Sequence, residues 1–444
     1  MKKITFVFLL SILIFLSENV VFGQEVEFSG QIKPRYEMRH GYQSLFPDGA
    51  EPANFISQRT RLNLGFASEL FRVGLSVQHI GVWGETGTIR LSDVNGASVH
   101  EAWGEVIFSP KVSLKAGRQV ISYDDQRILG EVDWNQAARS HDAVVLSIRP
   151  KDVCKIDVGI AYNANKQSNI REIYRPNNYK TMQFAHWHRE FGSMDASILL
   201  LNNGLPWLDE TDTTDSGIAR EKVAFSQTMG FRLTWKKNKW SANGAIYNQT
   251  GKTNADTTGD GSAESTRELD GLYFALEAAY SISGNFSLGA GMEYFTGNSM
   301  KEPSDKDQAF KPLYGTNHKF NGWMDYFYVG NHMTSVGLMD IFIPLKFKKN
   351  KYSAALIPHF FQSTGDIYGM VNDGTMKDFS NSLGTEIDFV FGYVISPSAS
   401  IQAGYSQMFA TESMQAIKGG NYKNNNNWAW VMLNFTPAFF KKSM

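Results

Sequence analysis

Past its first two dozen residues, the sequence has no apolar run of the ~20 residues that a membrane-crossing helix needs. It has one cysteine, Cys154. That excludes an intrachain disulfide and a cysteine zinc cluster, and leaves Cys154 as a small buried or lipid-facing apolar residue. It has no excess of either charge: 43 Lys and Arg face 44 Asp and Glu, for a formal net charge of −1. A nucleic-acid binder held by bulk positive charge is therefore not expected. Catalytic and metal constellations are lacking too. Ser140-His141-Asp142 is contiguous, and contiguous residues do not build a triad. His186 and His188 share a parity on one strand, but no third ligand is placed beside them. The segment 254–261 resembles the start of a calcium loop, yet either register puts Ser265 or Arg267 where the closing Glu belongs. It reads as a flexible polar loop. The expectation is a protein without cofactor, metal or enzymatic chemistry.

What the sequence does have begins with a leader. Lys2 and Lys3 precede an apolar stretch from Ile4 to Leu16, and Val21-Phe22-Gly23 ends in a small residue. Residues 1–23 read as a secretory signal, with 24–444 as the mature chain. After it the dominant period is two. Thr60, Leu62, Leu64 and Phe66 alternate with Arg59, Arg61, Asn63 and Gly65, the mark of a strand with one apolar and one polar face. Strands are expected near 24–39, 54–67, 71–83, 98–108, 111–122, 141–149, 153–163, 180–190, 193–203, 223–235, 239–249, 269–281, 285–297, 332–347, 351–362, 383–395, 399–409 and 428–440.

The connections are more telling than the strands. Short links such as Ser109-Pro110, Phe191-Gly192 and Pro397-Ser398 alternate strictly with long ones such as 123–140 and 298–331. A soluble sandwich has no reason for that alternation. An outer-membrane barrel does, with tight periplasmic turns, long extracellular loops and an even strand number. The fold expected is all-β: a transmembrane antiparallel β-barrel of about eighteen strands in the outer membrane of a Gram-negative bacterium. Trp83, Trp103, Trp187, Trp235, Trp240, Trp428 and Trp430 fall near strand ends, where aromatic rings favour the membrane interface.

Parity then assigns a lumen face. Arg59 and Arg61 lie on it in the second strand, Arg35 in the first, and Glu101 and Glu105 in the fourth. An arginine on the lipid face would cost roughly 2–4 kcal/mol at the midplane, so these point inward. The densest charge lies between Leu114 and Asp142: Arg118, Arg127 and Arg139 among Asp124, Asp125, Asp133 and Asp142. Arg118 shares the parity of Leu114 and Ala116, which would turn it to lipid unless Gly117 marks a bulge that resets the phase.

That stretch also carries a resemblance. Gly117-Arg118-Gln119, Tyr123-Asp124-Asp125-Gln126-Arg127-Ile128-Leu129-Gly130, Asp133-Trp134-Asn135-Gln136 and Arg139-Ser140-His141-Asp142-Ala143 are similar to the alginate-export outer-membrane porins. The later segment 312–327, PLYGTNHKFNGWMDYF, supports the match. The resemblance implies a monomeric eighteen-stranded barrel. It implies an arginine-rich constriction passing anionic polysaccharide, and segments that plug the pore. Arg118, Arg127 and Arg139 would form the constriction, with Arg59 and Arg61 beside them.

The expected function is a passive channel for an anionic polysaccharide, oligosaccharide or small anionic solute, selected by inward arginines. The expected partners are outer-membrane lipid and lipopolysaccharide, the saccharide itself and the barrel-assembly machinery. The alternative is a non-conducting barrel acting as an adhesion or scaffold protein through its long loops. An outer-membrane hydrolase is the third reading, and it lacks a triad.

Overall fold

The computed structural model describes residues 24–443 apart from 90–93, 171, 175–177, 214–218, 257–262, 333–335 and 371–374. The expected signal segment and the middle of the calcium-like loop lie outside the described residues. The chain forms a closed antiparallel barrel of 18 strands. The first nine are β1 (Glu25–His40), β2 (Ala53–Ala67), β3 (Phe71–Val82), β4 (Ala97–Ser109), β5 (Val112–Gln119), β6 (His141–Lys151), β7 (Cys154–Tyr162), β8 (Thr181–Phe191) and β9 (Met194–Thr213). Then come β10 (Ala219–Lys237), β11 (Trp240–Ala255), β12 (Ser265–Ser281), β13 (Phe286–Phe295), β14 (Leu338–Phe342 and Leu345–Lys349), β15 (Tyr352–Gln362), β16 (Ser382–Ser396), β17 (Ala399–Ala410) and β18 (Asn426–Phe435 and Ala438–Ser443).

Each strand pairs with its sequence neighbours, and β1 pairs with β18 along both parts of the latter. No barrel edge is left to recruit another strand. The two interruptions have one cause. Pro344 and Pro437 have no N–H for the ladder, so β14 and β18 each break there. The carbonyls are still used: Gly289 donates to Pro344 and Gly30 to Pro437.

Alternation sorts the side chains. Leu62, Leu64, Val73, Ile160, Leu200 and Leu276 are all more than 40 % exposed on the outer face, the surface that lipid covers. Among the described residues no helix is long and apolar enough to cross a membrane. Four of the expected interface tryptophans face outward, and three do not. Trp103, Trp428 and Trp430 point into the barrel, where Trp428 is fully buried. Trp103 and Trp430 lie in mid-strand rather than at strand ends, and parity decides the face.

Two strands run longer than their sequence suggests. The polar stretch around Asp209 and Asp212 reads as a loop, yet β9 and β10 extend through it as a hairpin. Lys222 bridges Asp209 (2.6 Å) and Asp212 (3.2 Å) across the pair. In contrast, β5 stops at Gln119 and β14 starts only at Leu338. The chain on either side of these ends turns into the barrel. The loop 120–140 after β5 (L3) and the loop 296–337 after β13 (L7) fold inward and carry the apolar core with them. Ile121, Ile128, Leu129, Met324 and Tyr326 are buried in one cluster with Met182, Phe184, Leu199 and Tyr273 of the wall. The hydrophobic core of this barrel is thus a plug. Burying that apolar surface drives the loops inward.

Candidate functional site

L3 is stitched to the wall of β1, β2 and β3. Lys33 Nζ donates to the Asp133 carbonyl (2.7 Å) and carboxylate (3.2 Å). Arg59 donates to the other carboxylate oxygen of Asp133 (2.6 Å) and to the Gln136 carbonyl (3.3 Å). Arg35 donates to the Trp134 carbonyl at 2.6 Å, and Gln78 to that of Ala137 at 2.9 Å. Gln136 returns donors to the Lys33 carbonyl and the Ser57 hydroxyl, both at 3.1 Å. Lys33 and Arg59 are almost wholly buried, with side-chain exposures of 4 % and 1 %, while Asp133 is 48 % exposed. Both cations are covered, and the carboxylate they share is their exposed partner; Arg59 also donates to Gln31 Oε1 at 2.7 Å. Arg61, half-buried, is held by Gln78 Oε1 at 2.7 Å.

The other side of L3 is tied across the barrel. Asp124 meets His186 of β8 at 3.1 Å, and Asp125 meets Arg232 of β10 at 2.5 Å. Arg127 is fully buried and pairs with Glu293 of β13 at 2.5 Å. Its guanidinium lies 3.6 Å from the centre of the Phe320 ring, a desolvated cation–π contact. An isolated charge this deep would be prohibitive, so the pair is held as a unit.

L7 docks on the opposite wall through its main chain. The Trp323 N–H donates to Asp388 (3.1 Å) and the Met324 N–H to Glu386 (2.8 Å). Asn321 donates to Glu293 at 2.6 Å and Asp340 at 3.2 Å. Gly322 has φ of +79°, and a Cβ there would sit 2.7 Å from the Glu386 carboxyl carbon. Glycine alone fits that turn. The loops also bind each other: Tyr314 and Ile128, and Gly130 and Tyr314, exchange main-chain bonds of 3.0 and 2.9 Å. Trp134 of L3 stacks on His318 of L7 at 4.5 Å, with Arg35 over its ring at 4.1 Å and Trp430 edge-on at 4.8 Å.

The bore is polarised by this arrangement. Lys33, Arg35, Arg59, Arg61, Arg72 and Lys115 face inward from β1 to β5 and outnumber Glu37, Glu101 and Glu105 beside them. Glu277, Glu293, Asp340, Glu386 and Asp388 face inward from β12 to β16. Open space among the described residues includes three cavities. A cavity of about 250 Å³ on the extracellular side touches Arg35, Arg39 and Gln136. One of about 390 Å³ on the periplasmic side of the same wall touches Asn63, Glu101 and Trp103. The L3 stitch lies between them. The third, about 240 Å³, lies under L7.

Of the residues expected at the pore, Arg35, Arg59 and Arg61 face the interior, as do Glu101 and Glu105. Glu101 accepts from Trp103 Nε1 at 2.8 Å, and Glu105 pairs with Arg72 at 3.4 Å. Asp125 and Asp133 bind wall cations, and Asp124 binds the His186 ring. Arg127 and Arg139 lie inside the plug; Arg139 donates to the Gly315 carbonyl at 3.2 Å and faces Tyr314.

Arg118 requires a correction. It lies on the outer face, opposite Ala102 and Asp142, in an unbroken β5–β6 register. Gly117 adopts φ of +121° but resets nothing. Arg118 and Asp142 form a bidentate pair at 3.0 and 2.7 Å, both about half exposed, near the extracellular rim. There an outward arginine costs little. Lys33, Arg232 and, apart from Glu277, whose parity on the twelfth strand turns it inward, the acidic wall escaped the sequence reading. Parity could have supplied their facing; their pairing across hundreds of residues had no local signal. Among the described residues no three His, Cys, Asp or Glu side chains converge as a metal site.

Outside the membrane-spanning strands, the short helix α1 (Val329–His332) lies near the end of L7. The His332 ring is half-buried with Nε2 3.1 Å from the Gly337 carbonyl. Burial first, then the nearby Lys418 charge, push its pKa down to about 3 from 6.5. The unfolded loop therefore binds the proton more readily than the folded one. This contribution is fully present above about pH 6.5 and is lost as pH falls towards about 3. Limited proteolysis of L7 is expected to be faster at about pH 4 than at about pH 8, and His332→Gln should flatten that difference.

Comparison with known proteins identifies the barrel. The family model for alginate export matches residues 78–427. The chain belongs to the alginate export family. No curated protein matches the sequence. Among solved structures, OccAB4 of Acinetobacter baumannii superposes with a TM-score of 0.59 at 12 % identity, over 96 % of this chain and 100 % of that one. A BenF-like porin of Pseudomonas fluorescens Pf-5 gives 0.57 at 12 %, over 93 % and 99 %. OpdQ of Pseudomonas aeruginosa gives 0.54 at 13 %, over 94 % and 98 %. At such identities the likeness is one of fold. With the family it establishes an outer-membrane channel barrel, and a relationship to transport porins rather than to enzymes.

Proposed function

We propose that this member of the alginate export family passes anionic saccharide, as polymer, oligomer or small acidic solute, along the basic wall of β1 to β3. One observation carries the reading: Lys33 and Arg59 already hold a carboxylate, that of Asp133, at 3.2 and 2.6 Å. A site that satisfies one carboxylate in this setting can satisfy another, because a planar guanidinium and an ammonium recognise the group rather than its owner. Movement of L3 would hand these donors from Asp133 to a passing solute. The acidic wall opposite keeps the net field small, so that binding is weak enough for release. The barrel would work as a monomer in lipid and lipopolysaccharide, placed there by the barrel-assembly machinery.

Planar-bilayer recordings with uronate oligomers of graded length test the reading. The expected result is anion preference, with current interrupted by uronate oligomers at concentrations well below those needed for neutral oligomers of equal length. Equal potency of the two would overturn it. A folded barrel that never conducts would favour the adhesion or scaffold reading.

A further inference from the structure

The geometry points to a second acidic-sugar subsite on the periplasmic underside of the plug, built by L7 against β12 and β14 and reached without passing the β1–β3 wall. It rests on the reading above for the class of solute, and on its own residues for the place.

The cavity of about 240 Å³ under L7 is lined by Lys319, Phe320 and Trp323 from the loop, and by Glu277, Phe342 and Lys346 from the wall. In the liquid, about eight waters fill that volume; it suits roughly one sugar ring. Lys346 and Glu277 lie near the periplasmic ends of β14 and β12, so the cavity faces that mouth.

The charges around it are unevenly satisfied. Asp125 with Arg232 (2.5 Å), Glu293 with Arg127 (2.5 Å) and Asp340 with His359 (2.9 Å) are closed ion pairs. Glu277 accepts from Asn243 at 2.9 Å. Lys319 and Lys346 are different. Among the described residues neither has a carboxylate within ion-pair distance, and Lys319 donates only to the main-chain carbonyl of Asp125, at 3.2 Å. Two exposed ammonium groups thus line one cavity, and neither has a carboxylate within ion-pair distance among the described residues. An ammonium pair without its anion, beside half-buried aromatic rings, is complementary to a carboxylate on an apolar-faced ring.

The platform is tied to the wall. Trp323 and Met324 are fixed by main-chain bonds to Asp388 and Glu386, and Gly322 allows the turn between them and Asn321. Lys319 ends the 3-10 turn Asn317–Lys319, which is buried at its first two residues. Little ordering remains to be done when a ligand arrives. A uronate residue would set its carboxylate between the two ammonium groups, lay an apolar ring face on Trp323 or Phe342, and offer hydroxyls to Glu277 and Asn243. For a linear polymer this supplies a holding point on the periplasmic side, one plug thickness away from the Lys33–Arg59 wall.

Two variants of the full-length barrel test this: Lys319→Gln with Lys346→Gln, and Trp323→Leu. Equilibrium dialysis in detergent micelles would use a labelled uronate trimer, with a neutral trimer and inorganic phosphate as competitors. The double lysine variant is expected to lose about tenfold in trimer affinity, and Trp323→Leu about threefold, with heat-modifiable barrel migration preserved. Unchanged trimer affinity in the lysine variant overturns the subsite. Competition by phosphate as strong as by unlabelled uronate trimer reduces it to a simple anion site and overturns the sugar assignment, as does equal competition by the neutral trimer. In bilayers, the lysine variant should raise the blocking concentration for trimer added from the periplasmic side only. The two readings can fail separately. A wild-type barrel without anion preference whose trimer binding still falls in the variant removes the transport reading and keeps the subsite. Intact anion preference with unaltered binding in the variant does the reverse.

Discussion

Replacing Glu293 with Gln is expected to raise single-channel conductance several-fold while leaving the barrel folded. Glu293 ties both inward loops at once. It takes Arg127 of L3 at 2.5 Å and Asn321 of L7 at 2.6 Å, and Tyr273 of the wall donates to it at 3.0 Å. Arg127 has a side-chain exposure of 1 %. Taking away its counter-charge leaves a buried guanidinium unpaired, which costs about 3–5 kcal/mol. The β-ladders are untouched, so the cost falls on the docking of L3 and L7. The loops can relieve it by carrying Arg127 to water. Bilayer recordings would show larger and noisier openings. Arg127→Met combined with Glu293→Leu should restore the closed level, because matched apolar groups can replace a buried pair. If Glu293→Gln conducts like the wild type, the anchor is elsewhere.

The second large effect is expected on selectivity. Lys33→Gln combined with Arg59→Gln removes two positive charges and leaves Asp133 facing the lumen unpaired. A unit charge about 4 Å away is worth roughly 4 kcal/mol at an effective dielectric of 20. Only about 1.4 kcal/mol is needed for a tenfold change in partition. Reversal potentials in a salt gradient should therefore move from anion towards cation preference by about tenfold in permeability ratio. Arg118→Gln, on the outer face, should leave the reversal potential where it was. A double variant that keeps the wild-type sign would remove the β1–β3 wall from the conduction path. The arginines richest in local sequence context, Arg127 and Arg139, are predicted to matter to gating more than to selectivity, because both are enclosed by the plug.

The barrel was legible because its signal is periodic and local. Alternation across Arg59 to Phe66, tight turns at Ser109-Pro110 and Pro397-Ser398, and long loops between them hold within a few residues of the observed strands. Strand ends were less legible where a long-range partner decides them. Lys222 extends β9 and β10 beyond a stretch whose composition says loop, and Pro344 and Pro437 break strands that alternation carries through. The facing of Arg35, Arg59 and Arg61 followed from parity. The plug did not follow from anything local. That Asp133 would find Lys33 and Arg59, or Arg127 find Glu293, depends on two loops turning inward, and the sequence shows only that these loops are rich in both charge and aromatic residues. Arg118 marks the limit in the other direction: its parity was correct, and the proposed bulge at Gly117 was a local escape that the register did not take.

The stitch and the Trp134 cluster have a consequence for how the cylinder comes to be closed. L3 touches both sides of the line where the first strand meets the last: Lys33 and Arg35 belong to β1, and Trp430, 4.8 Å from Trp134, belongs to β18. Before those strands meet, the contacts L3 makes with β1 and with β18 lie on two unjoined margins of an open sheet. Bringing the margins together assembles the receptor for the loop, and the loop in turn holds the margins. Closure and obstruction are therefore expected to be coupled, a seam fastened from the inside. A variant that loosens L3 should lower the temperature at which β1 parts from β18, although no residue of either strand is changed.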